Sequence, residues 1–210
     1  MDKIMIIPLD KMIKDYALYI EGVIHIGAHY GQEYADYIEC GIKDMVLFEP
    51  VVSSYKKLLE ILPKRKCIKT FNLALGNEVG EREMYIETAN AGKSSSLLAP
   101  GTHLTMYPRI EFNERETVKI DKLDNIDFDR SQYNMINIDV QGFELEVFKG
   151  AENTLDFIDI IYTEINLEEV YKGCCRMEDL DDFLKPFGFI RIRTEDNGHW
   201  GDALYLKYIG

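Results

Sequence analysis

Two carboxylates, two histidines and a glycine-bounded turn carry the chemistry this sequence can offer. Asp139 follows the apolar run Asn134–Ile138, and Glu164 stands just beyond the run Ile158–Tyr162. Carboxylates at the carboxyl ends of adjacent strands in an open α/β sheet face its ligand crevice. There they can hold a bound group, take a proton from it, or bind a divalent cation that acidifies it. Two oxygens are too few to specify a metal, and none is assigned. The competing structural role for Asp139 is a cap on the helix starting near Gly142. For Glu164 it is an ion pair or a solvent-exposed side chain. His29 and His199 are alternative bases, because an imidazole titrates near neutrality. His29 lies on the glycine-bounded turn, where orienting a ligand is the expected role. His199, in Asn197-Gly198-His199-Trp200-Gly201, reads as a loop residue.

The turn lies within Val23-Ile24-His25-Ile26-Gly27-Ala28-His29-Tyr30-Gly31-Gln32-Glu33. Gly22–Ile26 reads as a buried parallel strand, and a helical pattern runs from about Gly31 to Cys40. A strand that turns at glycines into a helix is the nucleotide-binding corner of a doubly wound sheet. Gly27, without a Cβ, is expected to let the backbone approach a ligand closely, and the helix start offers unpaired N–H groups. The spacing lacks the middle glycine of Gly-x-Gly-x-x-Gly, and no P-loop pattern is present. Glu49 ends the run Met45–Phe48, 22 residues after Gly27. A carboxylate at the tip of the second strand is placed to accept ribose hydroxyls. Corner and carboxylate together predict a nucleoside cofactor.

The elements that must position these groups alternate. A helix is expected over Asp10–Glu21, another over Val51–Leu62 between Pro50 and Pro63, and a strand over Cys67–Leu73. Arg82–Glu87 alternates like a hairpin strand, and Arg115–Ile120 is a further strand candidate. Asn90–Pro108 is irregular, and a loop of that length is more often a binding loop or lid. Helices are expected over Phe143–Lys149 and Met177–Leu184. Phe187–Ile192 and Ala203–Tyr208 read as a closing hairpin, so the last strand runs antiparallel to the others. Strands alternating with helices give an α/β sheet.

The chain has 210 residues, 46% hydrophobic and 29% charged, with a net charge of −13. That is ordinary for one soluble globular domain with a full core. The negative balance argues against gripping a nucleic-acid backbone and favours a neutral or cationic ligand. Cys40, Cys67, Cys174 and Cys175 lack CxxC spacing and read as reduced thiols in a reducing, cytoplasmic setting. Ile4-Met5-Ile6-Ile7, cut by Pro8, is too short for a signal h-region. No apolar stretch approaches the ~20 residues of a membrane span.

Further motifs give the chain a family likeness. They are Ile26-Gly27-Ala28-His29-Tyr30-Gly31, Phe48-Glu49-Pro50, Asn72-Leu73-Ala74-Leu75-Gly76 and Ser94-Ser95-Ser96-Leu97. The most specific is Ile138-Asp139-Val140-Gln141-Gly142-Phe143-Glu144-Leu145-Glu146-Val147-Phe148-Lys149-Gly150-Ala151. Thr163-Glu164-Ile165 and Trp200-Gly201-Asp202-Ala203-Leu204-Tyr205 fit as well. From Gly22 to Tyr208 the chain resembles the FkbM family of S-adenosylmethionine-dependent methyltransferases. The resemblance implies a Rossmann-like, seven-stranded class I methyltransferase sheet, mostly parallel with an antiparallel C-terminal hairpin. It implies O-methylation, commonly of sugar or polyketide hydroxyls. His29 stands where the family usually has Asn, and Gln141 where Glu is common; both keep hydrogen-bonding capacity.

Corner and resemblance together mark a cofactor site of Gly27, Ala28, His29, Gly31, Glu33, Glu49, Pro50, Asn72, Ala74, Leu75, Ser95, Asp139, Val140 and Gln141. Asp139 and Glu164 are the catalytic candidates. Methyl transfer to a hydroxyl needs alignment and a base within reach of the hydroxyl proton. Trp200 and Tyr107 offer flat faces on which a sugar ring can stack. The chain is read as a single methyltransferase domain over 1–210, compatible with being one domain of a larger glycan-assembly protein. Its expected acceptor is a sugar or glycan, with a deoxyhexose such as rhamnose as the guess, and a polyketide-type small molecule is the alternative. Nucleic acid is not an expected partner, and oligomeric state is not encoded in any motif. A nucleoside-binding oxidoreductase is disfavoured by the missing middle glycine. A cofactor-binding module without turnover is the third reading.

Overall fold

The computed structural model describes residues 5–208; of the run Ile4–Ile7, Ile4 lies outside them. The first half of the chain runs α1 (Leu9–Tyr16), β1 (Gly22–Ile26), α2 (Tyr34–Glu39), β2 (Asp44–Phe48), α3 (Val52–Ile61), β3 (Ile68–Phe71), β4 (Ala74–Leu75) and β5 (Gly80–Ile86). The second half runs α4 (His103–Met106), β6 (Glu114–Asp121), β7 (Met135–Ile138), α5 (Glu144–Lys149), β8 (Ile160–Asn166), α6 (Met177–Leu184), β9 (Phe189–Asp196) and β10 (Trp200–Lys207).

Seven strands form one sheet in the order β3-β2-β1-β7-β8-β10-β9. Strands β3, β2, β1, β7 and β8 pair in parallel, and β10 pairs antiparallel with both β8 and β9. This is the mostly parallel sheet with an antiparallel closing pair that the family likeness implies. Every residue of β1, β7 and β8 is buried, as expected of parallel strands covered on both faces. Alternate residues feed two apolar layers. Ile24, Ile26, Phe48, Ile136 and Ile138 face one layer; Val23, Met45, Leu47, Met135 and Leu204 face the other. That period of two is the pleat of the strand.

Several expectations shift. Helix α1 ends at Tyr16 rather than Glu21, because Ala17 adopts a left-handed backbone with φ 52°. Strand β8 continues to Asn166, so Glu164 lies within the strand instead of after it. The Arg82–Glu87 and Arg115–Ile120 segments pair with each other as β5 and β6, with β4 alongside, in a second, three-stranded sheet that periodicity alone did not reveal. The long connection between β5 and β6 carries the one-turn helix α4. Among the described residues no helix is long and apolar enough to cross a membrane.

Candidate active site

Strand register brings the chemistry-bearing residues into one row. Ile26 pairs with Phe48 on one side and with Ile138 on the other, and Ile138 pairs with Thr163. The next residues, Gly27, Glu49, Asp139 and Glu164, therefore line up along the carboxyl edge of the sheet. Because β10 runs the opposite way, its early residue Asp202 pairs with Glu164 and joins the row. A cleft of about 1040 Å³, counted to its open mouth, lies over this edge.

Twelve of the residues proposed from sequence line the cleft: Gly27, His29, Glu33, Glu49, Pro50, Ala74, Leu75, Ser95, Asp139, Val140, Gln141 and Glu164. Ala28, Gly31 and Asn72 stand behind its wall. Ala28 is buried in the apolar layer beneath the corner. Gly31, with φ 74°, turns the chain toward α2 against Leu58. The Asn72 amide donates to the carbonyls of Glu49 (2.9 Å) and Pro50 (2.8 Å), clasping the ends of β2 and β3 together. Met5, His25, Met84, Lys93, Asn137, Tyr162 and Asp202 also line the cleft and were not foreseen. For Asp202 the signal was present: a carboxylate inside an apolar closing strand. Its partners explain it, since its Oδ2 accepts from Ile6 N (2.8 Å) and from the Tyr162 hydroxyl.

At the corner the glycine is crowded by the chain itself. A Cβ on Gly27 would lie 1.9 Å from the carbonyl oxygen of Asp139, and φ is 84°. The close approach seen within the chain is to the backbone at the tip of β7, and Gly27 also lines the cleft. Glu49 braces the same corner: its Oε2 accepts from His29 N and its Oε1 from Val51 N, both at 2.8 Å. Each carboxylate oxygen keeps a further lone pair. Burial raises the Glu49 carboxyl to about 7, and the two N–H bonds oppose the rise.

His29 is committed. Its Nε2 donates to the Ala91 carbonyl at 2.9 Å, its Nδ1 accepts from the Gln32 amide at 2.7 Å, and its ring stacks on Tyr30. Neither nitrogen has a lone pair left for a substrate proton. His199 sits on the exposed turn beside Glu168, at 3.2 Å, and does not line the cleft. Trp200 and Tyr107 meet, the indole N–H donating to the Tyr107 hydroxyl at 2.8 Å.

Asp139 does not cap α5. Glu144, the first residue of α5, instead ties down the turn before the helix: its Oε1 accepts from Val140 N and Gly142 N, both at 3.1 Å. The Gln141 amide donates to Asp139 Oδ1 at 2.7 Å and to Glu164 Oε2. Glu164 is buried and has no cationic partner among the described residues. Burial first, then the Asp139 charge, push its carboxyl well above the ordinary range. Burial also raises Glu33, Glu144 and Asp202 to about 7 each. Asp139, Glu144 and Glu164 each bring an oxygen within 4.8 Å of the others. Protein N–H groups already serve this trio, so the donor set alone does not call for a metal.

Six carboxylates thus converge on the cleft region, and Lys93 is the one lysine or arginine among the described residues lining it. Desolvated carboxylates without counterions favour a cationic ligand. A ligand with a ribose, an apolar base, a sulfonium and an ammonium group fits. The cleft lining offers the Glu49, Glu33 and Asp139 carboxylates together with the apolar Ala74, Leu75, Met84 and Leu97.

The family model described as the Methyltransferase FkbM domain matches residues 25–191. The 2-O-methyltransferase NoeI of Sinorhizobium fredii (strain NBRC 101917 / NGR234) is 23% identical over 176 residues, covering 80% of this chain and 72% of its own. Among solved structures, magnesium protoporphyrin IX methyltransferase of Synechocystis PCC 6803 with bound S-adenosylmethionine is similar, with a TM-score of 0.51 at 10% identity. The match covers 94% of this chain and 74% of the other. Streptococcus pneumoniae Sp1610, a candidate tRNA (m1A22) methyltransferase also solved with S-adenosylmethionine, gives a TM-score of 0.51 at 12% identity, covering 94% and 71%. At these identities the two structures bear on fold alone.

Proposed function

Because the chain belongs to the FkbM family of methyltransferases, we propose that it transfers a methyl group from S-adenosylmethionine to a hydroxyl of a sugar or glycan. S-adenosylmethionine is its cofactor. When bound, it supplies an electrophilic methyl group on a positively charged sulfur.

The chain's own residues do the rest. The Glu49 carboxylate holds the ribose hydroxyls with its remaining lone pairs. The Glu33 and Asp139 carboxylates face the cationic end. Leu75, Met84 and Leu97 exclude water from the base. Asp139 and Glu164, bridged by Gln141, meet the acceptor hydroxyl. Asp139 takes its proton, while Glu164, its carboxyl raised by burial, orients the acceptor oxygen. Two like carboxyls in contact share a proton more readily than both ionise.

The observation that carries transfer to oxygen is this carboxylate pair, bridged by Gln141, lining an acidic cleft. An alcohol needs a base; a group already nucleophilic does not. NoeI, a 2-O-methyltransferase, supports oxygen as the target. The sugar, a deoxyhexose such as rhamnose being the first choice, is proposed along with it. The net charge of −13 supports a non-nucleic-acid acceptor.

The test is methyl transfer from labelled donor to a panel of deoxyhexose-bearing oligosaccharides, polyketide alcohols and RNA. Mass spectrometry then locates the methyl group. Label on a sugar oxygen, with S-adenosylhomocysteine formed in equal amount, is the expected result. Transfer to RNA or to a polyketide, with every sugar untouched, overturns it.

A further inference from the structure

Gln141 has a positive φ of 56°, a backbone state that a long side chain keeps only when its surroundings hold it there. Its amide nitrogen is committed to Asp139 and Glu164. An amide rotated end for end would aim its oxygen at two carboxylates, so its orientation matters. Tyr171 fixes that orientation. Its hydroxyl donates to Gln141 Oε1 at 2.5 Å and lies 3.0 Å from the Ser94 carbonyl. The Ser96 hydroxyl donates to the Gln141 carbonyl at 2.7 Å. The Tyr171 hydroxyl therefore holds the Gln141 side chain, and Ser96, on the strap that follows β5, holds its backbone.

We propose that Tyr171 is a positioning residue for methyl transfer, tying Asp139 and Glu164 into one unit through Gln141. The catalytic consequence rests on the function proposed above; the geometric one does not. The N–H donor that Asp139 and Glu164 share sets their spacing. Glu144 and Asp202 are the other acidic groups around Glu164, so the spacing has no internal cation to fall back on. Without the Tyr171 hydroxyl the amide is free to rotate, and the pair spreads. Misplacement on the ångström scale costs up to ~10²-fold in rate.

Tyr171→Phe keeps the ring and its packing beside Val170 and Cys174. The Gln141 side-chain amide is followed by NMR on protein saturated with S-adenosylhomocysteine, its signals identified by their loss in Gln141→Leu. In the wild type these protons are expected shifted downfield and slow to exchange. In Tyr171→Phe they return toward ordinary positions and exchange faster, while the melting temperature barely moves. With the sugar acceptor found by the labelled-donor panel, kcat falls roughly 10- to 100-fold and KM for S-adenosylmethionine holds. The double variant is no slower than Gln141→Leu alone. Unchanged Gln141 amide signals in Tyr171→Phe overturn the proposal, as do rate losses that multiply in the double variant. If no sugar is methylated, the sugar reading fails, and the amide signals still decide the role of Tyr171.

Discussion

The carbonyl oxygen of Asp139 occupies the space where a side chain on Gly27 would begin, 1.9 Å from an added Cβ. The tips of β1 and β7 touch here, with Asp139 N donating to the Ile26 carbonyl at 3.0 Å. The glycine that opens the cofactor corner thereby also sets the position of the proposed base.

Gly27→Ala is therefore expected to act on the fold as well as on the cofactor. Forcing a Cβ against a backbone carbonyl at φ 84° combines overpacking with left-handed strain, about 2–4 kcal/mol together. Thermal melts without cofactor should show the loss. A variant that melts like the wild type yet no longer binds S-adenosylmethionine would show that the crowding is with the cofactor and not with Asp139.

Glu49 carries two duties, bracing His29 N and Val51 N while its spare lone pairs face the cleft. Glu49→Ala should weaken S-adenosylmethionine by about 1–3 kcal/mol, the worth of one or two hydrogen bonds in a desolvated site. Calorimetry on 5′-methylthioadenosine, which keeps the ribose, should show a similar loss. Undiminished affinity for both in folded Glu49→Ala removes Glu49 from the ribose.

Much of this arrangement was legible in the chain. Gly22–Ile26, Met45–Phe48 and Asn134–Ile138 are apolar runs closed by Gly27, Glu49 and Asp139, so strand ends and cleft residues announced themselves together. The closing hairpin followed from two runs with a polar turn between them. What stayed hidden depends on distant pairing. β5 and β6 join across a long connection, and no local pattern encodes that partner. Asp202 reaches the cleft because β10 is reversed. Tyr171 reaches Gln141 from 30 residues away. Gly27 was read correctly as a tight position, but its neighbour was a carbonyl that only the sheet order supplies.

The acidic cleft predicts an inverted stability profile for the free protein. Burial raises Glu33, Glu49, Glu144 and Asp202 to about 7, and pushes Glu164 well above the ordinary carboxyl range as well. A carboxyl raised on folding holds its proton more tightly folded than unfolded. Its contribution is complete below the unfolded value near 4 and is lost as pH rises through 7. His25, lowered by burial to about 3, works the other way, as do His29 and His103, which burial also lowers, but these are three groups against five. The melting temperature without cofactor should therefore fall from pH 5 to pH 7.5. Excess S-adenosylmethionine, binding the ionised form, should recover more of it at pH 7.5 than at pH 5. A melting temperature that climbs with pH across this range would mean the carboxylates are already ionised and paired.

Asp139 is where fold and chemistry are most easily separated. It does not cap α5, whose N-cap position is Phe143, and the Gln141 amide reaches its Oδ1 alone. Asp139→Asn keeps an oxygen for that amide and nearly the same shape. S-adenosylmethionine affinity should hold within a few-fold, since one of several facing carboxylates is lost. If Asp139 takes the acceptor proton, turnover should drop by at least ~10². The wild-type rate should fall on the acid side as the base is protonated, and that limb should vanish or move in the variant. Near-wild-type turnover in Asp139→Asn would place the base elsewhere. Glu164 is then the next group to replace, because both nitrogens of His29 are already bonded. Chelation gives the remaining arm. If turnover stops with a chelator and returns with added Mg²⁺, then Asp139, Glu144 and Glu164 act as ligands, and the proton leaves by way of the metal instead.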